Sequence, residues 1–405
     1  MACVTRRLHV AIVLLCAGCG VSDRSEEAGP GHADSAGVAI VRNADDPLLP
    51  RGELVHPARR VFGSETEGPE LFGGGVGARL HPNGSLWISE AQTREIRVFD
   101  SGSGAHLFTI GGRGDGPGEF RRSVFLGFDG EGSAYVYDHE HRRLSVFSES
   151  GELLRSHLMP PSLGISPRPR HVTPAGTLLG HISGGLERMP VDGSTVRDTV
   201  RIWTMPLDGT APVLVMETLG ALWYFHDGTP VSVPFAGGPR LGFRDDRVYM
   251  VDNTGEVSYS VYGPAGLERR AEIDRAPLQV DAASRAMFLE RIRRGGVPAS
   301  HARIYEEHLS DMPIPDAQRH WDAVVVTDEG GAWLLRPGDP EPAMAGVPAD
   351  DQVWDVFDAE GVLVGNIRLP VNVGPVQVSG QTALTVVRDE LGRVTVAIHE
   401  VRWMG

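Results

Sequence analysis

The stretch IGGRGDGPGEF, Ile110 to Phe120, carries an Arg-Gly-Asp tripeptide at Arg113 to Asp115 and enough glycine to cradle a phosphate. Adhesion and phosphate binding are thus both open to it on residue type. A phosphate loop, however, needs a helix after it and a lysine to neutralise the charge. The residues after Phe120 read as a strand, and all 38 basic residues of the chain are arginines. The lack of lysine also excludes Schiff-base catalysis. A glycine-rich structural turn is the expected reading.

Other residues have the types needed for a site. DHEHRR, Asp138 to Arg143, offers His139 and His141, but alternate residues on a tight hairpin point apart and no third ligand is implied, so no metal site is expected there. The acid–arginine pairs Glu90/Arg94 and Asp138/Arg142 recur at one spacing, which favours a structural role bridging a hairpin over catalysis. LWYFHDG, Leu222 to Gly228, sets Trp223, Tyr224, Phe225 and His226 outside any repeat, where aromatics line binding surfaces. Trp223, Tyr224 and His226 are therefore the candidate binding residues, against the alternative of a core strand. A metal-dependent hydrolase, lactonase or lyase would need carboxylates, Asn or His converging at one point, and His81, His171 and Asp227 are the conceivable contributors.

The elements that must carry these residues are periodic. GSLWISEAQTREIRVFD from Gly84 aligns without a gap on GSAYVYDHEHRRLSVFS from Gly132. Trp87 matches Tyr135, Glu90 matches Asp138, Arg94 matches Arg142 and Phe99 matches Phe147. Each unit reads as strand, polar hairpin, strand, turn, strand, and a repeat of roughly 40 to 50 residues with that content marks propeller blades. Both faces of the strands are apolar, as expected of strands covered on two sides. Fainter copies follow at Thr173–Gly209, Arg247–Gly266, Gly330–Val364 and Val376–Trp403.

The expected fold is all-β, a six-bladed β-propeller over residues 36–405, its last unit completed by an N-terminal strand such as GVAIVRN, Gly37 to Asn43. A small helical insertion between the fourth and fifth blades is expected at about 277–315, with Asp281 as a helix cap. In this frame the turn that ends in Phe120 resembles that of NHL-repeat β-propellers, a class with G-x-x-G-x-G-P-G-x-F before a strand ending in Asp and an Arg four residues on. The matching residues are Gly111, Gly114, Gly116, Pro117, Gly118, Phe120, Asp138 and Arg142. The fullest match spans about Leu107 to Leu154.

Residues 1–19 read as an export signal: Arg6 and Arg7, an apolar run from Leu8 to Leu15, then small residues before Cys19. That run falls short of the roughly 20 residues that a membrane-spanning helix needs. LCAGC resembles the lipobox of bacterial lipoproteins, with Cys16 in place of the usual leucine. The resemblance implies acylation of Cys19 and, with Gly20 next, sorting to the outer membrane. Residues 20–35 are polar and read as a flexible tether. Cys3, Cys16 and Cys19 all fall in the leader, so no intrachain disulfide is expected beyond it.

Without the leader the chain keeps 36 basic and 53 acidic residues, a balance of −17, which argues against a nucleic-acid partner. No cofactor is expected. The reading is a monomeric, lipid-anchored binding or scaffold module of the bacterial cell envelope, facing the periplasm or the surface, with a protein, peptide or glycan partner. The metal-dependent enzyme is the alternative.

Overall fold

Two-faced apolar strands cannot be buried by a single sheet, and the computed structural model resolves that requirement by stacking sheets against one another. It describes residues 31–35, 37–46, 50–63, 68–73, 75–163, 167–183, 191–208, 210–252, 256–337, 351–389 and 391–404. The leader and Cys19 lie outside these residues.

Val76–Leu80, Ser85–Glu90, Glu95–Asp100 and His106–Gly111 form an antiparallel sheet in chain order. The pattern recurs in a second sheet, Ser123–Phe128 to Leu153–Leu158, and in a third, Arg168–Val172, Leu178–Ser183, Thr195–Met205 and Val213–His226, with Thr229–Ser232 added at its edge. A fourth runs from Arg240–Arg244 to Gly266–Asp274 and a fifth from Ala323–Val326 to Leu363–Leu369. Val373–Ser379, Thr382–Arg388 and Val394–Met404 follow. The first strands of successive sheets lie against one another, and Val373–Ser379 lies against Val76–Leu80, so the series returns on itself.

The cores sit between sheets. Trp87 and Val98 of the first sheet share a buried cluster with Phe120, Val136 and Phe147 of the second. Tyr137 and Leu144 meet Val172 and Trp203 in the next, and Phe62, Leu86 and Phe99 meet Leu384 and Val396 where the last sheet reaches the first. Leu86, Trp87 and Ile88 are consecutive and each fully buried, which only neighbours on both faces can achieve.

The N-terminal segment departs from expectation. Val38–Ala44 does not complete the final sheet but pairs in parallel with Gly266–Asp274 of the fourth, and Arg60–Phe62 pairs with Val394–Met404 instead. Arg51–Leu54 joins Leu363–Leu369 to the same last strand. Gly31–Ser35, expected within the tether, forms a hairpin with Val38–Ala44 across Gly37, whose φ of 84° suits glycine. Side chains fix this outer path. Asn43 donates to the Glu272 and Gly361 carbonyls and accepts from the Leu363 amide, tying fourth and fifth sheets together.

In chain order these two sheets are separated by helices α1, Ala282–Arg291, and α2, Ala299–His308, which pack against Tyr224, Val231 and Val233 at the edge of the third sheet. Asp281 caps α1 by accepting from the Ser284 amide at 2.8 Å. No helix among the described residues is long and apolar enough to cross a membrane.

Asp355, wholly buried in the fifth sheet, anchors the belt. It accepts from Arg275, Arg336 and the Trp321 indole, and Arg275 also grips Asp45 at 2.8 Å. Burial pushes the Asp355 carboxyl up, but the two guanidinium groups outweigh it and hold it below its ordinary range. Its contribution is therefore full above the unfolded carboxylate pKa and lost as pH falls through the folded one. Asp355→Asn removes the buried charge shared by Arg275 and Arg336 and leaves only Asp45 to answer both, which should cost about 3 kcal/mol at pH 7. Urea denaturation at pH 7 and pH 3 tests it: the gap between wild type and variant narrows in acid, and equal stability at pH 7 refutes the anchor.

Candidate functional site

The first strands of the sheets wall two cavities that share Arg79, His171, Phe243, Val326 and Val376. The larger, about 710 Å³, is walled by arginines: Arg79, Arg168, Arg170 and Arg240 face two aspartates, Asp198 and Asp322. Asp322 is already paired with Arg319 at 2.8 Å. Arg79 donates only to the carbonyls of Ala78 and Val376, and Arg240 donates to that of Asp322. Among the described residues Arg168 and Arg170 have no hydrogen bond or ion pair.

Backbone register explains the crowding. Arg168 and Arg170 lie two residues apart on the first strand of the third sheet, which bulges at Arg170, and both line the same chamber. His181 sits opposite Arg168 on the neighbouring strand. Burial lowers the Arg170 guanidinium below its usual range and Arg168 lowers it further; burial also lowers Arg79 and Arg240. Burial, then the adjacent Arg170 and Arg168, push His181 down to about 4, and burial with Arg79 does the same to His171.

Of the expected binding residues, Trp223 lines this chamber, whereas Tyr224 and His226 do not. Alternate strand residues face opposite ways, so Tyr224 is buried with Phe288 and Tyr305 on the helical side. The His226 ring packs on His308 of α2 with centroids 4.1 Å apart. His81 and His171 border the second cavity, about 670 Å³, where the His81 ring meets Phe128 and its Nε2 lies 3.1 Å from the Gly132 carbonyl. Asp227 is an exposed hairpin-tip residue, so the histidine–aspartate trio does not converge.

The glycine-rich stretch is a turn. The Gly112 amide donates to the Arg94 carbonyl and the Phe120 amide to the Gly112 carbonyl, dropping Phe120 between the first two sheets. Gly111 has a φ of 88°, and a Cβ there would meet the Arg94 carbonyl at 2.8 Å. Asp115 is held by Arg121 of its own loop and by His141 of the following hairpin at 2.8 Å, which bring its carboxyl to about 2, so it is engaged within the protein. The recurring carboxylates bind backbone: Glu90 accepts from the Gln92 and Thr93 amides, Asp138 from Glu140, His141 and Arg121. Arg94 and Arg142 supply the positive φ of each hairpin, 65° and 51°.

No family model matches the chain, and none of the curated proteins matches it in sequence. Solved structures do match in shape. A Bacteroides fragilis protein described as a putative exported protein aligns at a TM-score of 0.50 and 11% identity over 90% of this chain and all of its own. A member of the DUF4221 family from Bacteroides vulgatus aligns at 0.51 and 12%, over 87% of this chain and 99% of its own. A gluconolactonase from Xanthomonas campestris aligns at 0.42 and 14%, over 92% and 100%. The chain has a β-propeller fold. At these identities the likeness shows fold alone.

Arg168 and Arg170 escaped sequence reading because the third sheet is a faint repeat. RPRH, Arg168 to His171, was the available signal: cations spaced at the strand period beside a histidine. The rings of His171 and His181 should stay neutral through pH 6.5 and titrate near pH 4. Between those values the unfolded histidines take up protons that the folded rings refuse, so stability falls as pH drops across that window. Imidazole proton shifts measured against pH test this, and midpoints near 6.5 would contradict it.

Proposed function

We propose that this chain is an exported, lipid-anchored, six-bladed β-propeller that acts as a binding module of the cell envelope, with its ligand site in the axial chamber. The six-blade count takes Arg60–Phe62 as the outer strand of the last sheet, with α1 and α2 inserted between blades four and five. The turn ending at Phe120 supports kinship with NHL-type repeats. The LCAGC segment and the exported nature of the Bacteroides fragilis protein support the envelope address.

One observation carries the binding reading: a chamber of about 710 Å³, within the size range of ligand pockets, whose wall holds the guanidinium groups of Arg168 and Arg170 with no hydrogen bond or ion pair among the described residues. Both are exposed on that wall, where an anionic group can reach them. The metal-dependent hydrolase, lactonase or lyase is disfavoured by the same wall, because four guanidinium groups repel a divalent cation. Multiple acyl chains on Cys19, at about 0.8 kcal/mol per buried methylene, make a stable anchor.

The intact mass of protein extracted from membranes should correspond to a chain beginning at Cys19 with added acyl groups, and Cys19→Ala should move the protein to the soluble fraction. An unmodified mass would overturn the anchored reading.

A further inference from the structure

The chamber specifies a class of ligand. The protein as a whole carries a net charge of −15, yet its axial chamber is walled by Arg79, Arg168, Arg170 and Arg240, a reversal of sign in a confined space. Asp322 is satisfied by Arg319, and the Asp198 carboxylate accepts from the Thr199 amide at 2.7 Å. Asp322 also acts on Arg240 and Asp328 on Arg79, whereas Arg170 is affected only by burial and by Arg168. A narrow cavity with protein walls concentrates its field more than an open surface does.

Geometry adds direction. Arg168 and Arg170 reach the chamber from one strand, two residues apart at its bulge, and so offer two guanidinium groups to one molecule. A guanidinium presents paired N–H donors that match a carboxylate or phosphate edge. The His181 Nδ1 and His171 Nε2 atoms are buried without hydrogen-bond partners at the same chamber. Trp223 supplies an apolar surface on its wall, against which the body of a ligand can rest.

We propose that the axial chamber binds a small ligand carrying at least two oxyanion groups, held by Arg168 and Arg170 and seated against Trp223. This deepens the binding reading above and rests on it. Both side chains are exposed at the chamber, where a ligand can reach them, and the anion supplies their counter-charge. Because neither guanidinium has a hydrogen bond or ion pair among the described residues, replacing both with glutamine leaves folding intact and raises the melting temperature by easing repulsion.

Trp223 serves as the reporter. Citrate, pyrophosphate and a neutral trisaccharide are titrated separately into the purified full-length protein, with tryptophan fluorescence and calorimetry as readouts. Citrate or pyrophosphate is expected to bind and to change a fluorescence signal that is absent from Trp223→Phe. Affinity should weaken at least tenfold in Arg168→Gln/Arg170→Gln and fall as salt rises. Whichever of the two binds more tightly assigns the groups as carboxylate or phosphate. Should the double variant melt below wild type, Arg170→Gln alone carries the comparison. Binding of the anions with equal affinity by wild type and variant overturns the proposal. If only the trisaccharide perturbs Trp223, the anion class falls while the chamber reading stands; if no probe perturbs it, both fall.

Discussion

A strand that is apolar on both faces has no stable place in a single sheet, and the rest of this structure follows from that constraint. Leu86, Trp87 and Ile88 in one sheet and Tyr135, Val136 and Tyr137 in the next are buried in unbroken runs. Each sheet must lie between two others. A series of such sheets has exposed ends unless it closes, and closure sets the first strand of every sheet around a common cavity. The chamber is therefore a product of the packing rather than an addition to it. What is specific to this chain is what the first strands place there.

The chain's ends close the series by a belt instead of a single strand. Asn43 clasps two sheets, Arg51–Leu54 bridges two more, and Arg60–Phe62 edges the last. The buried Asp355 holds this belt through Arg275 and Asp45. The third sheet extends its hairpin through two long strands, Thr195–Met205 and Val213–His226. That extension turns Trp223 toward the chamber and Tyr224 toward α2, so the helices brace the strand that carries the chamber's aromatic wall. The contrast between Asp355 and the chamber is instructive. The buried Asp355 is answered by Arg275 and Arg336, while Arg168 and Arg170, exposed at the chamber, have no such partner among the described residues.

The repeat was legible because pairing and register depend on residue type at every second position. Trp87 with Tyr135 and Glu90 with Asp138 revealed the hairpins and their turns. The structure adds that those carboxylates hold backbone amides, with the arginine of each pair contributing a left-handed backbone turn. The path of Gly37 to Asn43 was not legible, because any apolar strand can edge any sheet and only Asn43's three distant hydrogen bonds choose the fourth. Of the expected binding residues Trp223 lines the chamber, and strand alternation separates it from Tyr224. Arg79, Arg168, Arg170 and Arg240 come from three sheets, and a convergence across such sequence distances leaves no local pattern.

The central claim is a cationic chamber on the axis, and a heavy anion would locate it directly. Crystals grown at low salt and soaked in selenate can be measured at the selenium absorption edge, where bound selenate scatters anomalously. The account predicts an anomalous peak within the chamber, between Arg168 and Arg170 and near Trp223. Peaks confined to the outer surface, with the chamber empty of anion, would contradict it.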